Sequence, residues 1–162
     1  MKKGLLILIM AACVQVATHA QSPLDFAEKF MTMHKADTML KCVTVSPKMM
    51  EQLVKSHDDN RPDHIVQAIA KLKSARIITG NADHYVKAEE LLKRNSQRFI
   101  PAKEYRTDDQ HGAFYTRKDK KGNTVEFIML CEEPQHDRCT IINLTGDIDE
   151  EFLCFLYNKS FN

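Results

Sequence analysis

A change in apolar spacing after Phe99 constrains the fold of this chain more than any other feature of its sequence. Four segments beyond this residue alternate apolar and polar side chains, which is typical of strands with one buried face. They span residues 99–106, 113–118, 124–131 and 139–145. Polar turn segments separate them, including a Lys-Lys-Gly-Asn hairpin tip at 120–123. Short turns between consecutive strands predict a four-stranded antiparallel meander.

The first half of the chain has helical spacing instead. Apolar residues recur every three or four positions in four segments, which indicates amphipathic helices. Ser46-Pro47 has the sequence of a helix N-cap followed by proline at the first helical position. Two β-rich segments, 38–45 and 76–79, interrupt the helices, and a last helical pattern closes the chain. We therefore predict an α+β fold: a helical first half with two strands, then the four-stranded antiparallel meander and a C-terminal helix.

The N-terminal segment has the organisation of a secretory signal. Lys2 and Lys3 precede an apolar run at 4–14, which is too short to span a bilayer of about 30 Å. Small residues follow the run, and they place the cleavage site between Ala20 and Gln21. We therefore expect residues 1–20 to be a signal peptide, residues 21–162 to be a single α+β domain, and the protein to be periplasmic or secreted.

Cys13 provides an alternative processing site. The preceding Met10-Ala11-Ala12 loosely matches the small-residue box at which bacterial lipoproteins are cut and lipidated. Val14 departs from that box, since a small or polar residue usually follows the lipidated cysteine. Lipidation at Cys13 would make the protein an outer-membrane lipoprotein, whereas cleavage after Ala20 leaves it free of the membrane.

The charge balance argues against several partner classes. The chain has 23 Lys and Arg and 22 Asp and Glu, and export would remove two of the lysines. A net charge so near zero does not provide the broad basic surface that nucleic acid or anionic lipid requires. We therefore expect no nucleic-acid partner, and contact with a membrane only through lipidation at Cys13.

Three strings in a fixed order carry a family resemblance. They are Ser-Pro-Lys-Met at 46–49, Lys-Leu-Lys-Ser-Ala-Arg-Ile-Ile at 71–78 and Leu-Thr-Gly-Asp-Ile at 144–148. Through them the chain resembles the secreted bacterial proteins of domain-of-unknown-function family 4252 over most of its mature length. The resemblance implies export, often with a lipid anchor, and no established activity. It therefore supplies no catalytic residues.

Histidines and carboxylates in one interhelical segment suggest a zinc site. His57, Asp58 and Asp59 lie close in sequence to Asp63 and His64. The offset between the two histidines does not match the i, i+4 spacing of a helical zinc chelate. A solvated loop accounts for these residues, so we predict no metal ligand among them.

Methionines and acidic residues suggest two further metals. Met31 and Met33 are soft ligands suited to Cu(I), but their i, i+2 spacing points them to different sides of a helix. Met33 falls on the stripe of Phe26 and Phe30, which predicts core packing. The acidic stretch 146–151 lacks the residue order of a calcium-binding loop, and a helix N-terminus explains it. We predict no metal and no cofactor.

Four cysteines remain after the signal: Cys42, Cys131, Cys139 and Cys154. Four cysteines allow three pairings, and Cys131 and Cys139 are the pair that the predicted hairpin brings close. Alternation points Cys131 towards the core and Cys139 the other way, so a disulfide between them needs a bulge or a shifted register. We expect Cys42 and Cys154 to be buried thiols.

The sequence names no catalytic residue. It lacks the motifs of a serine nucleophile, a zinc protease, a redox dithiol or a phosphate-binding loop. His84, His111 and His136 lie near acids in turn-rich segments, which is common on a solvated surface. We predict an exported, non-enzymatic binding or interaction module for an envelope protein or a small ligand. The alternative is a small extracytoplasmic hydrolase or metal-dependent enzyme with a site assembled from scattered His, Asp and Cys.

Overall fold

The protein is described by a computed structural model that covers residues 24–56 and 63–159. Within these residues it forms five α-helices and six β-strands. The helices are α1 (Phe26–Met33), α2 (Pro47–Ser56), α3 (Asp63–Ala70), α4 (Ala82–Arg94) and α5 (Glu150–Lys159). The strands are β1 (Lys41–Val45), β2 (Leu72–Gly80), β3 (Ile100–Arg106), β4 (His111–Lys118), β5 (Thr124–Glu133) and β6 (Arg138–Ile148). The predicted signal peptide, with Cys13, Ala20 and Gln21, lies outside the described residues.

All six strands belong to one antiparallel sheet with the order β1-β2-β6-β5-β4-β3. The α+β composition is confirmed. The predicted architecture, a helical first half with two strands followed by a separate four-stranded meander, is wrong. The two early strands extend the sheet from β6, and β2 is nine residues long where a segment of four was predicted.

Strand β6 is the physical reason for this difference. It has 11 residues and is buried over most of its length on both faces. It pairs with β5 along its whole length on one side, and with β2 from Cys139 to Gly146 on the other. Alternation within one strand indicates which of its side chains face a core, but it does not indicate which other strand lies next to it in the sheet. The partner that covers the second edge of β6 comes from a part of the chain about 70 residues away, and only the tertiary fold selects it.

Helices cover both faces of the sheet. The front face carries α1 and α4, and its core joins residues such as Phe26, Phe30, Leu92, Ile128 and Ile141. The back face carries α2, α3 and α5, and its core includes Met50, Ile65, Phe114, Phe127 and Phe152. The fold is therefore a three-layer sandwich of helices, sheet and helices. None of the helices in the described ranges is long and apolar enough to cross a membrane.

Local signals set several element boundaries as the sequence predicted. Ser46 Oγ accepts the Met49 N–H at 3.3 Å and caps α2. Gly122, at the tip between β4 and β5, has φ +89°, a conformation that favours glycine.

The expected core role of Met33 is wrong, since this side chain is 57% exposed at the end of α1. Met31 packs against the front core instead.

Candidate functional site

An open cleft lies on the front face, beside α4. This helix packs mainly over β5, β6 and β2, and the cleft lies at its side, next to β3 and the start of β4. The cleft has a volume of about 470 Å³. It is lined by side chains from three elements: Tyr85 and Glu89 of α4, Glu104 and Arg106 of β3, and His111 and Ala113 of β4. We call this site the Tyr85 cleft.

A histidine–carboxylate pair forms one end of the Tyr85 cleft. His111 and Glu132 are opposite residues on β4 and β5, and Nε2 of the histidine lies 3.1 Å from Oε2 of the glutamate. The Tyr85 ring meets the imidazole edge-to-face, with 5.3 Å between the ring centroids. The pair therefore has a fixed orientation, with the carboxylate on one side of the ring and an aromatic wall on the other.

The tyrosines around the cleft are held in their protonated form. Burial raises the pKa of Tyr85, and the nearby charges of Glu89 and Glu132 raise it further. Burial also raises the pKa of Tyr115, with the charge of Glu89 adding to the effect. At neutral pH these phenols are hydrogen-bond donors and not bases.

Glycine at position 112 brings β4 and β5 close together below the cleft. A Cβ at this position would lie 1.9 Å from the carbonyl oxygen of Leu130, so every other residue would collide with the backbone. On the back side of the sheet, the ring of Tyr105 in β3 stacks on Phe114 in β4, with 5.4 Å between the ring centroids. The floor of the cleft is therefore rigid sheet backbone and not a mobile loop.

A second polar cluster lies under the N-terminus of α1, buried within the front face. Glu126 is completely buried, and its Oε1 accepts the Phe26 N–H at 2.6 Å. Its Oε2 accepts from Nε of Arg117 at 2.6 Å. Asn143 donates to Glu126 at 3.1 Å, and its own oxygen accepts the Ala27 N–H at 3.0 Å. These bonds satisfy two of the free N–H groups of the helix and place a negative charge at the positive end of its dipole.

Charge also ties α1 to β2. Asp25, the N-cap of α1, accepts the Glu28 N–H at 2.8 Å through one carboxylate oxygen. The other oxygen pairs with the Arg76 guanidinium. Arg76 lies opposite Asn143, and Arg117 lies opposite Glu126. The hydrogen bond between Asn143 and Glu126 joins the two pairs diagonally, so the four residues form a row across four strands below the helix. We call these four residues the polar row. All of its functional groups are engaged in holding α1, so it is a structural cluster and not an open site.

His84 forms a third polar contact on the front face. Its Nδ1 accepts the Asn81 N–H at 3.1 Å, so the ring proton is on Nε2, which donates to Asp37 Oδ2 at 2.9 Å. Gly80 leaves room for this ring, because a Cβ there would lie 2.6 Å from Nδ1. The bond connects the start of α4 to the segment before β1.

Comparison with protein families assigns the chain. The model of the domain of unknown function DUF4252 matches residues 27–153, which include most of both cores, the Tyr85 cleft and the polar row. The chain belongs to the DUF4252 family. No curated protein has a significant sequence match to it.

Two solved structures are distantly similar to this DUF4252 chain. One is the Ran-binding protein Mog1p of Saccharomyces cerevisiae, and the other is a mutant of protein Mog1. Each is 15% identical to the chain, with a TM-score of 0.33. In each case the match covers 84% of this chain and 73% of the other.

The structure describes only part of the residues considered for metals in this DUF4252 chain. His57, Asp58 and Asp59 are outside the described residues. His64 is on α3, with its Nε2 3.4 Å from Oε1 of Glu151. Within the ranges 24–56 and 63–159, the structure brings together no group of three His, Cys, Asp or Glu side chains that could hold a metal ion.

The histidines that the sequence placed in turns have three different settings. His84 is buried in the first turn of α4, and His111 lies in β4 at the Tyr85 cleft. His136 is exposed in the short 3₁₀ turn Pro134–His136 between β5 and β6, 3.7 Å from Glu133. Only His111 of these three lines the cleft.

The described cysteines are all free thiols in the structure. Cys131 lies opposite Thr140 and donates to Gln110 on the back side of the sheet, whereas Cys139 belongs to the front core. Burial raises the pKa of Cys139 to about 12. The expectation that Cys154 is buried is wrong, since it is exposed on α5, and Cys42 is half-buried.

Sequence reasoning missed the polar row and most of the cleft. Glu126 did leave a signal, because it occupies the same phase as the apolar Ile128 and Leu130 in an alternating strand. A charged residue at a position that alternation predicts to be buried is either paired with another polar group in the core or shows that the buried face of the strand was assigned wrongly. His111 left no such signal, because its pairing with Glu132 depends on the register between two strands.

Proposed function

We propose that this protein is an exported, non-enzymatic binding module and that the Tyr85 cleft holds its ligand. One observation carries the proposal: the cleft is an open volume of about 470 Å³ on rigid sheet backbone, with an aromatic wall and convergent polar groups. Binding sites are typically preformed concave surfaces of this size with a few fixed polar groups.

The lining of the cleft favours a particular ligand chemistry. Glu89 and Glu104 contribute carboxylates from opposite sides, and Glu132 adds a third behind His111. Lys93 pairs with Glu89 at 2.8 Å, and Arg106 provides a further positive charge. The protonated Tyr85 supplies a hydrogen-bond donor and a ring face. We expect an organic cation, such as an amine or a guanidinium with an apolar neighbour, that contacts a carboxylate and the aromatic wall together.

A titration followed by backbone NMR tests this function. Arginine, lysine, choline and spermidine, each added separately, are expected to shift the amide signals of Gly112 and Ala113, whereas glutamate and succinate leave them in place. Glu104→Gln is expected to weaken binding about tenfold, the loss of one charge-assisted hydrogen bond of at least about 1.5 kcal/mol. Glu90→Gln is the matched control, because Glu90 pairs with Arg94 on α4 but lies outside the cleft.

Two results would contradict the proposal. One is the absence of shifts with every cation at millimolar concentration. The other is equal weakening by Glu104→Gln and Glu90→Gln, which would indicate attraction by overall charge and not by the cleft.

The pair of His111 and Glu132 favours the second candidate, a small hydrolase. A carboxylate 3.1 Å from an imidazole can orient the ring as a general base. The side chains lining the cleft include no Ser, Thr or Cys nucleophile. Hydrolysis of a chromogenic ester or glycoside by the wild-type protein, lost in His111→Gln, would establish this function in place of binding.

Export is part of the proposal and has its own test. The expected mature protein begins at Gln21, and after detergent phase separation it is found in the aqueous phase. An N-terminus acylated at Cys13, with the protein in the detergent phase, would establish the outer-membrane lipoprotein instead. Mass spectrometry of the N-terminal peptide from the native envelope distinguishes the two forms.

A further inference from the structure

The two edges of the sheet differ in how they are protected. Edge strand β3 contains Pro101, a register irregularity between Pro101 and Lys103, and the charged residues Lys103, Glu104 and Arg106. Each of these features discourages the addition of another strand. Edge strand β1 has the sequence Lys-Cys-Val-Thr-Val, without proline, and its register with β2 is regular from Lys41 to Val45. Across the described ranges, no strand pairs with its outer side.

Exposed apolar side chains are concentrated beside β1. On the back face a row of opposite residues runs from Met129 through Ile142 and Ile77 to Val43. Met129 and Ile142 pack against the back core, whereas Ile77 is 38% exposed and Val43 is 59% exposed. Met39, just before the strand, is also exposed. The apolar row therefore continues to the edge of the sheet without a cover among the described residues.

We propose that β1 is an interface for a second copy of this chain, which adds its own β1 antiparallel across a two-fold axis at Val43. In this register Val43 meets Val43 of the other copy, Cys42 meets Thr44, and Lys41 meets Val45. The two apolar rows then join into one across the axis. A two-fold interface uses the same patch on both copies, so the patch must be able to pair with itself. Strand β1 meets this requirement, because its open edge can pair with an identical antiparallel strand.

Charge is compatible with self-pairing. Lys41 is the one charged residue of β1, and it lies two positions from the axis. The two copies of Lys41 are then four positions apart, roughly 13 Å at about 3.4 Å per residue, which exceeds the screening length of about 8 Å. The chain as a whole has a formal net charge of +1, so the copies repel each other little. The interface does not depend on the Tyr85 cleft, which lies at the opposite end of the strand order.

Sedimentation of the purified protein over a range of concentrations tests the interface. We expect a reversible dimer that Val43→Lys weakens at least tenfold, because this change places two ammonium groups at the axis. Val86→Lys is the matched control, since Val86 is 52% exposed on α4, outside the sheet, and it is expected to leave the dimer unchanged. Circular dichroism of both variants establishes that each is folded.

A cross-link provides a second measurement that does not weaken the interface. Opposite residues of an antiparallel pair have Cα atoms about 4.5–5.5 Å apart, which a disulfide can span. With oxidised glutathione as the oxidant, Val43→Cys in a Cys42→Ser background is expected to give a dimer linked through position 43 of both copies. Val86→Cys in the same background is expected to give no link through position 86.

Three results would overturn the proposal. The first is a monomer at concentrations up to roughly 1 mM, which corresponds to an association weaker than about 4 kcal/mol. The second is a dimer that Val43→Lys and Val86→Lys affect equally. The third is a monomer whose β1 amides become protected from hydrogen exchange only when envelope extract is added, which would assign the edge to a different protein.

Discussion

The front and back faces of the sheet attach their helices by different physical means. On the back face, aromatic rings pack without directional bonds: Phe114 and Phe127 stack at 5.6 Å, and Phe114 meets Tyr157 edge-to-face at 5.1 Å. On the front face, the buried carboxylate of Glu126 and the amide of Asn143 bind the first two N–H groups of α1. Apolar packing tolerates small shifts of a helix, whereas this pattern of donors and acceptors is satisfied in only one position.

The two faces also differ in how they cover the β3 side of the sheet. On the front face α4 packs mainly over β5, β6 and β2, and the Tyr85 cleft lies beside it next to β3. The back face covers the same strands with aromatic side chains, and Tyr105 and Phe114 stack there. The front side of these strands thus carries an open cleft, whereas aromatic packing covers their back side.

Removal of the buried carboxylate is expected to have the largest effect on stability. Glu126→Ala leaves Arg117 and the start of α1 without their partner, and we expect a loss of about 3–5 kcal/mol in the free energy of unfolding. Glu133→Ala is the control, since it removes the glutamate of an exposed pair with Arg138 and is expected to cost less than about 1 kcal/mol. Urea unfolding measures both, and similar losses would contradict the distinction between buried and exposed pairs.

Two adjacent residues of β6 allow a direct comparison of the faces. Asn143→Leu removes partners of the Ala27 N–H and of Glu126, at about 1–3 kcal/mol for each group, so we expect a loss of about 2–6 kcal/mol. Leu144→Met, on the back face, is expected to cost less than about 1.5 kcal/mol, because it conserves volume. If Leu144→Met proves the more destabilising change in urea unfolding, the back face is the more specific one.

The contact between His84 and Asp37 predicts a pH dependence. The hydrogen bond from His84, together with the Met39 N–H, lowers the pKa of Asp37 below its ordinary value. A lowered pKa stabilises the folded state fully above the unfolded value of about 3.9, and this stabilisation is lost as pH falls through the folded pKa.

Asp37→Asn is therefore expected to lower the urea midpoint at neutral pH and to match the wild type once the pH lies below the folded pKa of Asp37. Asp109→Asn, at an exposed position of the β3–β4 turn, serves as the control with little change at either pH. A difference between wild type and Asp37→Asn that persists unchanged at low pH would contradict the role of this carboxylate.

The smallest effect is expected for reduction. Cys131 and Cys139 lie on opposite faces of the sheet, so we expect no disulfide between them and no change of the unfolding midpoint with dithiothreitol. In the native protein, alkylation with iodoacetamide is expected at the exposed Cys154 and not at Cys139, whose pKa burial raises to about 12. A linked peptide pair containing Cys131 and Cys139 would show that the turn overrides the register.

Much of the local structure was predictable because its causes are local. The cap at Ser46, the hairpin tip at Gly122 and the alternation of β5 each depend on residues within a few positions of one another. The role of Met33 was not predictable in the same way. Met33 lies on the same side of the helix as Phe26 and Phe30. However, α1 ends at Met33, beyond the front core, so a position on that side of the helix is no longer buried.

The sequence alone determined the α+β class, the order of helices and strands, the opposite orientations of Cys131 and Cys139, and the resemblance to the DUF4252 family. The tertiary structure decided that β2 pairs with β6, that Glu126 lies under α1, and that His111 meets Glu132 beside Tyr85. The physical reason is the range of the interactions. Periodicity, capping and turn preferences act over a few residues, whereas sheet neighbours and buried polar partners are chosen among residues as many as 116 positions apart by the packing of the whole domain.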